Sequence, residues 1–289
     1  MAKILLVHGM NMQKFERESL HRLWADSVLK LLRRTEWGKA NEALLPARSD
    51  IEIAYWADLF KWPKFEDQEA VAKGLVSWSR DRYFDLCRGS VRLADNLASF
   101  GPDGRPSNAS AAYLDGLVAQ TAIYMHNGPV YHPDPNEGDG AFFQVQARFN
   151  AAFASKPKLV IGHSLGSVVA YEGLYRDQRR KVPFITIGSP LASPYLILEP
   201  LRERAAQHFK NAAEVNLPWP AVSSWTNFYA GADVWCVPIE GLSHLFKGVG
   251  EVRDVRVEHG STFHPKKTHQ LTSYLEHIEI GDAIAAALA

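Results

Sequence analysis

Short apolar runs alternate with amphipathic stretches along this chain. Ile4 to Val7 is an apolar run that stops just before Gly9, the pattern of a strand buried on both faces. Leu20, Leu23, Trp24, Val28, Leu31 and Leu32 then recur at helical spacing with charges between them. β character returns at Ile51 to Trp56 (IEIAYW), Lys158 to Gly162 (KLVIG), Pro183 to Gly188 (PFITIG), Thr226 to Ala230 (TNFYA) and Val252 to Val257 (VRDVRV). Helical patterns fall between most of these strands. The alternation predicts an α/β fold with a mostly parallel sheet covered by helices on both faces.

The interval from Phe60 to Ala154 breaks that rhythm and reads as a helical insertion. Three helical pieces are expected, at Asp67–Ser99, Ala109–His126 and Gly140–Phe153. Turn formers separate them, GPDGRPSN (101–108) and NGPVYHPDPNEGDG (127–140). The segment is dense in aromatics, among them Trp62, Trp78, Tyr83, Phe84, Phe100, Tyr113, Tyr124, Tyr131, Phe142, Phe143, Phe149 and Phe153. Three roles fit it: an ordinary helical layer on the sheet, a cap whose apolar underside lines a pocket, or a surface for a partner or oligomer. No internal repeat is visible.

Composition narrows the function classes. The 289 residues carry 32 basic and 32 acidic side chains, so the formal charge is zero and no global field steers a polyanion; nucleic acid is excluded as a first-choice partner. Apolar residues make up 46% and charged residues 22%, which supports a folded chain with a sizeable core. Length alone would allow two domains, but α/β folds of roughly 200–250 residues often form one unit, and a single domain over 1–289 is expected. Two cysteines, Cys87 and Cys236, provide neither a disulfide framework nor zinc-site spacing. The N-terminal run ends in His-Gly rather than at a small-residue cleavage site, so it reads as a strand and not a signal peptide. With no run of about 18 apolar residues, a cytoplasmic protein without an integral membrane segment is expected.

The chemistry is concentrated in KLVIGHSLGSVVAYEGL (158–174), which contains Gly162-His163-Ser164-Leu165-Gly166. A bare GxSxG occurs by chance in roughly one chain in ten of this length. Here, however, an apolar strand precedes it and a helical pattern follows. A reversal from strand to helix this sharp strains the central residue and leaves room only for glycine two positions to either side. The Ser164 hydroxyl would then stand proud of the sheet at a helix N-terminus, where partial positive charge favours a developing anion. A serine serving only as a helix N-cap would not need both glycines.

The GHSLGS elbow, the early turn VHGM (7–10) and TIGSPL (186–191) resemble the α/β-hydrolase superfamily, and within it the lipase- and esterase-like serine hydrolases. The resemblance spans the strands from Ile4 to about Leu288 and leaves out the helical insertion at 60–154. It implies a nucleophile, an acid and a base in the order Ser, Asp or Glu, His. Ser164 is the nucleophile, and Asp233, just past TNFYA in GADVWCVP, resembles the acid-bearing loop, with Asp-Val-Trp in place of the family's frequent Asp-Pro-Val. Asp254, inside VRDVRV, reads as a solvated strand or edge residue. His269, in THQLTSYL, resembles the histidine loop before the last helix, with Leu271, Tyr274, Leu275 and Ile278 as that helix's apolar positions. His277 falls inside the same helix, and His259 and His264 lie in the preceding loop.

A zinc site at His259, His264 and His269 is disfavoured. Five-residue steps turn a helix by about 140° and swap the faces of a strand, so neither element converges all three. The resemblance further implies an oxyanion hole from the backbone N–H groups of Leu165 and Met10, with Gly9 permitting close approach. His8 either shapes that turn by hydrogen bonding or ends the strand, and Ser189 either faces the pocket or belongs to a turn before Pro190. Cys236 reads as a small buried hydrophobe.

The expectation is therefore a serine hydrolase acting on an ester-like acyl bond through Ser164, His269 and Asp233, with no metal or organic cofactor. The aromatic-rich insertion points to an apolar small-molecule acyl substrate. The same site would serve a thioesterase, amidase, peptidase or acyltransferase. A hydrolase-like scaffold that binds a partner without catalysis is the reading from another class.

Overall fold

The computed structural model describes residues 3–62, 64–75, 118–209, 217–231, 233, 241–247, 249–258 and 268–289. Most of the first predicted insertion helix, the turn at 101–108, the start of the second helix, and Cys87, Cys236, His259 and His264 lie outside these residues.

Six strands form one sheet in the order β2-β1-β3-β4-β5-β6, every pair parallel. They are β1 (Ile4–Val7), β2 (Ile51–Ala54), β3 (Leu159–His163), β4 (Val182–Ile187), β5 (Val222–Ala230) and β6 (Arg253–Val257). β1 and β3 are buried at every position, as continuous apolar runs demand of strands covered on both faces. Their side chains alternate between two cores. Leu5 and Val7 join one, while Ile4 and Leu6 join the other.

Helix α1 (Arg17–Leu32) covers the face reached by Ile4 and Leu6, burying Leu20, Trp24, Val28, Leu31 and Leu32. Helix α2 (Glu36–Ala40) follows it, with Thr35 capping through its hydroxyl to Gly38 N–H at 2.9 Å. The chain then passes through β2 and α3 (Phe65–Leu75), a helical stretch at 118–125, and α4 (Ala141–Phe153). The last two pack on the opposite face with α5 (Leu165–Arg176) and α6 (Glu199–Phe209).

Several expected elements differ in extent. β2 stops at Ala54 because Tyr55 and Trp56 lead into the tight turn Ala57–Phe60. β5 begins four residues earlier than its apolar signal, since Ser223 and Ser224 are exposed strand positions. The single C-terminal helix expected from Leu271 onward is two: α7 (Leu271–Tyr274) and α8 (Ile278–Leu288). A continuous helix would bury Ile278 with Leu271, Tyr274 and Leu275, yet Ile278 is 37% exposed while Ile280 and Ile284 are buried. The apolar stripe changes phase between 275 and 280, and the break absorbs it. His277 is consequently the N-cap of α8 rather than a residue inside a helix.

β1 is flanked by β2 on one side and β3 on the other, so the chain runs outward in both directions from the gap between β1 and β3. Open parallel sheets bind ligands at such a reversal of strand order, beyond the C-terminal strand ends.

Candidate active site

Ser164 connects β3 directly to α5 with φ +54° and ψ −133°. A non-glycine residue in this region carries strain of order 1–3 kcal/mol, which the surroundings must hold in place. They do so through backbone bonds: Ser164 N–H donates to the Ile187 carbonyl of β4 at 3.0 Å, and its own carbonyl accepts from Ser167 N–H at 2.9 Å. The flanking glycines are required sterically. A Cβ on Gly162 would lie 2.6 Å from Ser167 Cα, and one on Gly166 would run into the Val7 carbonyl. Gly9, in the turn after β1, lies so close that a Cβ there would sit 2.6 Å from Ser164 Cβ.

His269 arrives from the segment before α7. Its Nε2 lies 2.7 Å from Ser164 Oγ, and its Nδ1 lies 2.8 Å from Asp233 Oδ2 and 3.0 Å from Oδ1. A carboxylate only accepts, so Nδ1 carries the proton and the Nε2 lone pair faces the serine hydroxyl. Asp233 stands just past β5, its N–H returning to the Ala230 carbonyl at 3.0 Å. Gly188 makes room for the acid and the base over the end of β4, at φ +58°, with space for a Cβ only 3.1 Å from Asp233 Oδ2. All three side chains are buried.

Two further imidazoles support this arrangement. His163 donates from Nε2 to the His269 carbonyl at 2.8 Å, since a carbonyl only accepts. Burial, reinforced by neighbouring His269, holds His163 down to about 3, so it stays neutral. His8 receives Trp56 N–H at Nε2 (3.0 Å) and donates from Nδ1 to the Gly9 carbonyl (2.6 Å), which assigns it the turn-shaping role. Burial lowers it to about 4. The Trp24 ring stands edge-on to both, at 6.5 and 5.7 Å between ring centres.

Sequence reasoning missed Tyr274. Treated as a core ring, it donates its hydroxyl to Asp233 Oδ2 at 2.7 Å and accepts Ala230 N–H at 3.1 Å, so it fixes the acid to the end of β5. Only its position five residues after His269 hints at this. The other candidates have structural places. Ser189 donates to Ser167 Oγ (2.6 Å), because Ser167 spends its own proton on the Ser164 carbonyl. Asp254 is an edge residue, on the outer strand β6, and is half-buried: it accepts Asn227 Nδ2 and the N–H groups of Leu242 and Ser243, each at 2.8 Å.

A cavity of about 320 Å³ opens beside Ser164 and His269, walled by Met10, Met12, Phe15, Leu23, Trp24 and Leu271, with polar Asn11, Lys14 and Gln270. Met10 therefore lines the same cavity as the serine, and Leu165 heads α5, where the first N–H groups have no partner within the helix. Four of the described aromatics at 118–154 are elsewhere. Tyr124, Phe142, Phe149 and Phe153 pack into the core beneath α5, and none of them lines this cavity. A larger open cleft of about 980 Å³ runs beside α4 and the C-terminal end of α5, away from the three residues.

The fold is thus an α/β architecture with a six-stranded all-parallel sheet, compatible with the α/β-hydrolase arrangement. Compared with family models, curated proteins and solved structures, the chain matches none. Among the described residues no helix is long and apolar enough to cross a membrane, and no group of three or more His, Cys, Asp or Glu side chains could hold a metal ion.

Proposed function

We propose that this protein is a serine hydrolase of the α/β-hydrolase type that cleaves an ester-like acyl bond. One observation carries the reading. A strained serine at a strand-to-helix elbow meets an imidazole at 2.7 Å, and the far nitrogen of that ring meets a buried carboxylate at 2.8 Å. A serine hydroxyl is a poor nucleophile at neutral pH and becomes a good one when such a base takes its proton.

In the first half-reaction Ser164 Oγ bonds to the acyl carbon while its proton passes to His269 Nε2. The carbonyl π pair moves onto oxygen, and this oxyanion sits between the N–H groups of Leu165 and Met10. Asp233 balances the imidazolium and holds the tautomer. Collapse of the adduct expels the leaving oxygen, which takes the proton from His269. Water then attacks the acyl-serine, giving its proton to the same nitrogen, and the carboxylic acid departs as Ser164 recovers its hydrogen. Each oxyanion donor is worth about 3 kcal/mol of transition-state stabilisation. The apolar walls of the 320 Å³ cavity favour an acyl or aryl group of modest size.

The test is turnover of p-nitrophenyl esters of increasing chain length, alongside a thioester and an anilide, by wild type and Ser164→Ala. Ester hydrolysis that Ser164→Ala loses upholds the reading. Preference for the thioester or anilide moves the bond class while keeping the chemistry, and no turnover of any by folded protein favours a partner-binding scaffold.

A further inference from the structure

The turn that follows β1 is held from both sides, and one of the two holds comes from the insertion. Asn11 adopts φ +57°, a left-handed conformation that asparagine tolerates better than most residues but that still needs support. The support is Gln120, from the helical stretch 118–125, whose side-chain amide pairs with Asn11 twice. Asn11 N–H donates to Gln120 Oε1 at 3.1 Å, and Gln120 Nε2 donates to Asn11 Oδ1 at 3.0 Å. Gln120 is only 2% exposed, and the next residue, Thr121, directs its hydroxyl to Met10 Sδ. On the other side, His8 Nδ1–H binds the Gly9 carbonyl.

These bonds act on consecutive peptide planes. A trans peptide is planar, with N–H pointing opposite to C=O. Holding the Gly9 carbonyl therefore aims the Met10 N–H the other way. Holding the Asn11 N–H fixes the next plane, and together they leave the Met10 amide little freedom to swing. We propose that Gln120 is a positioning residue, which through Asn11 and opposite His8 aims the Met10 N–H at the oxyanion of the acyl-transfer reaction. The inference rests on the serine-hydrolase reading and adds to it a task for the insertion, which supports the site through the buried amide of Gln120.

The experiment compares wild type, Gln120→Leu and Gln120→Glu, with active sites counted by fluorophosphonate titration and folding checked by thermal melts. Gln120→Leu removes both bonds, whereas Gln120→Glu keeps an acceptor for Asn11 N–H and loses the donor to Asn11 Oδ1. Loss of an entire oxyanion donor costs about 10²–10³-fold in kcat, so a misaimed one should cost roughly 10- to 100-fold. The expected result for Gln120→Leu is a kcat per titrated site lowered by that factor, with KM within about threefold. Affinity for a trifluoromethyl ketone, whose adduct places an oxyanion in the same hole, should fall in proportion to kcat/KM. Gln120→Glu should lie between the two.

A lower melting temperature with kcat per site unchanged would overturn the proposal, because a purely structural clamp behaves that way. So would a loss confined to KM. Should Gln120→Leu lose its cooperative melt, Asn11→Ala carries the same test from the other side of the pair. If wild type itself fails to titrate with fluorophosphonate, the serine-hydrolase reading fails and the proposal falls with it.

Discussion

Acid should unfold this protein through two histidines that never meet solvent in the native state. His8 and His163 have an ordinary value of 6.5 in the unfolded chain, and burial lowers them to about 4 and about 3 in the native one. Between these limits the unfolded chain binds protons that the native chain refuses, so stability is complete above about pH 6.5 and is lost as pH falls. At pH 5 each group is 1.5 units below 6.5, which at 1.36 kcal/mol per unit costs about 2 kcal/mol, or about 4 kcal/mol for the pair. That is a large share of the 5–15 kcal/mol typical of a folded domain. His126 and His208 lean the same way but are partly exposed, so their share is smaller. Asp50 and Asp177, whose carboxyls are lowered by hydrogen bonds, act only as pH falls below their ordinary 3.8, outside this window. Urea unfolding followed by tryptophan fluorescence at pH 7.5, 6 and 5 measures the loss. His163→Asn and His8→Asn should each shrink the difference between pH 7.5 and pH 5 by about 2 kcal/mol, whatever they cost at pH 7.5. A wild-type loss under about 1 kcal/mol, or losses in the variants equal to that of wild type, would refute the reasoning.

Three substitutions test the remaining contacts. Tyr274→Phe strips a donor from Asp233 and leaves Ala230 N–H buried without its acceptor, so stability should fall by about 1–3 kcal/mol and ester turnover should fall with it; unchanged turnover in titrated enzyme would mean the phenol serves folding alone. Asp233→Asn should lower kcat far more than Asp254→Asn, whose cost should appear as a lower melting temperature because it loosens the 241–243 turn; the reverse order would make Asp254 the acid. Glu172 is fully buried and binds Arg204 through two contacts at 2.7 and 2.9 Å, tying α5 to α6. Arg204→Ala leaves that buried carboxylate without its counter-charge, held only by the Tyr124 and Tyr175 hydroxyls, and should cost about 3–5 kcal/mol in denaturant unfolding; a cost under 1 kcal/mol would show that water reaches the pair.

The sheet was readable because strands buried on both faces are mostly apolar runs, as β1 is throughout and β3 and β4 are for most of their length. The N-terminal end of β5 was not, since Ser223 and Ser224 face solvent there and imitate a loop. The break between α7 and α8 is a change in the phase of the apolar stripe, which side-chain type at Ile278 conceals. Ser164 was legible as a candidate because its backbone strain forces glycines at fixed positions, whereas Asp233 and His269 were singled out only because their loops resemble the acid- and histidine-bearing loops of α/β-hydrolases. Tyr274 and Gln120 were hidden for a different reason. Their partners lie 41 and 109 residues away, and nothing local separates a phenol that grips an acid from a core ring. Of the aromatics at 60–154, Tyr124, Phe142, Phe149 and Phe153 fill the core under α5, while Phe143 and Tyr131 are exposed; aromatic type alone did not separate these places.

The central claim is that Ser164 is a nucleophile activated by His269. Treating the native protein with a fluorophosphonate and mapping the adduct by peptide mass spectrometry addresses it directly. The account predicts one stoichiometric adduct on the peptide carrying Ser164, absent in Ser164→Ala and slowed by orders of magnitude in His269→Ala. An unlabelled native protein, an adduct on Ser167 or Ser189 instead, or labelling of Ser164 at the same rate without His269 would contradict it.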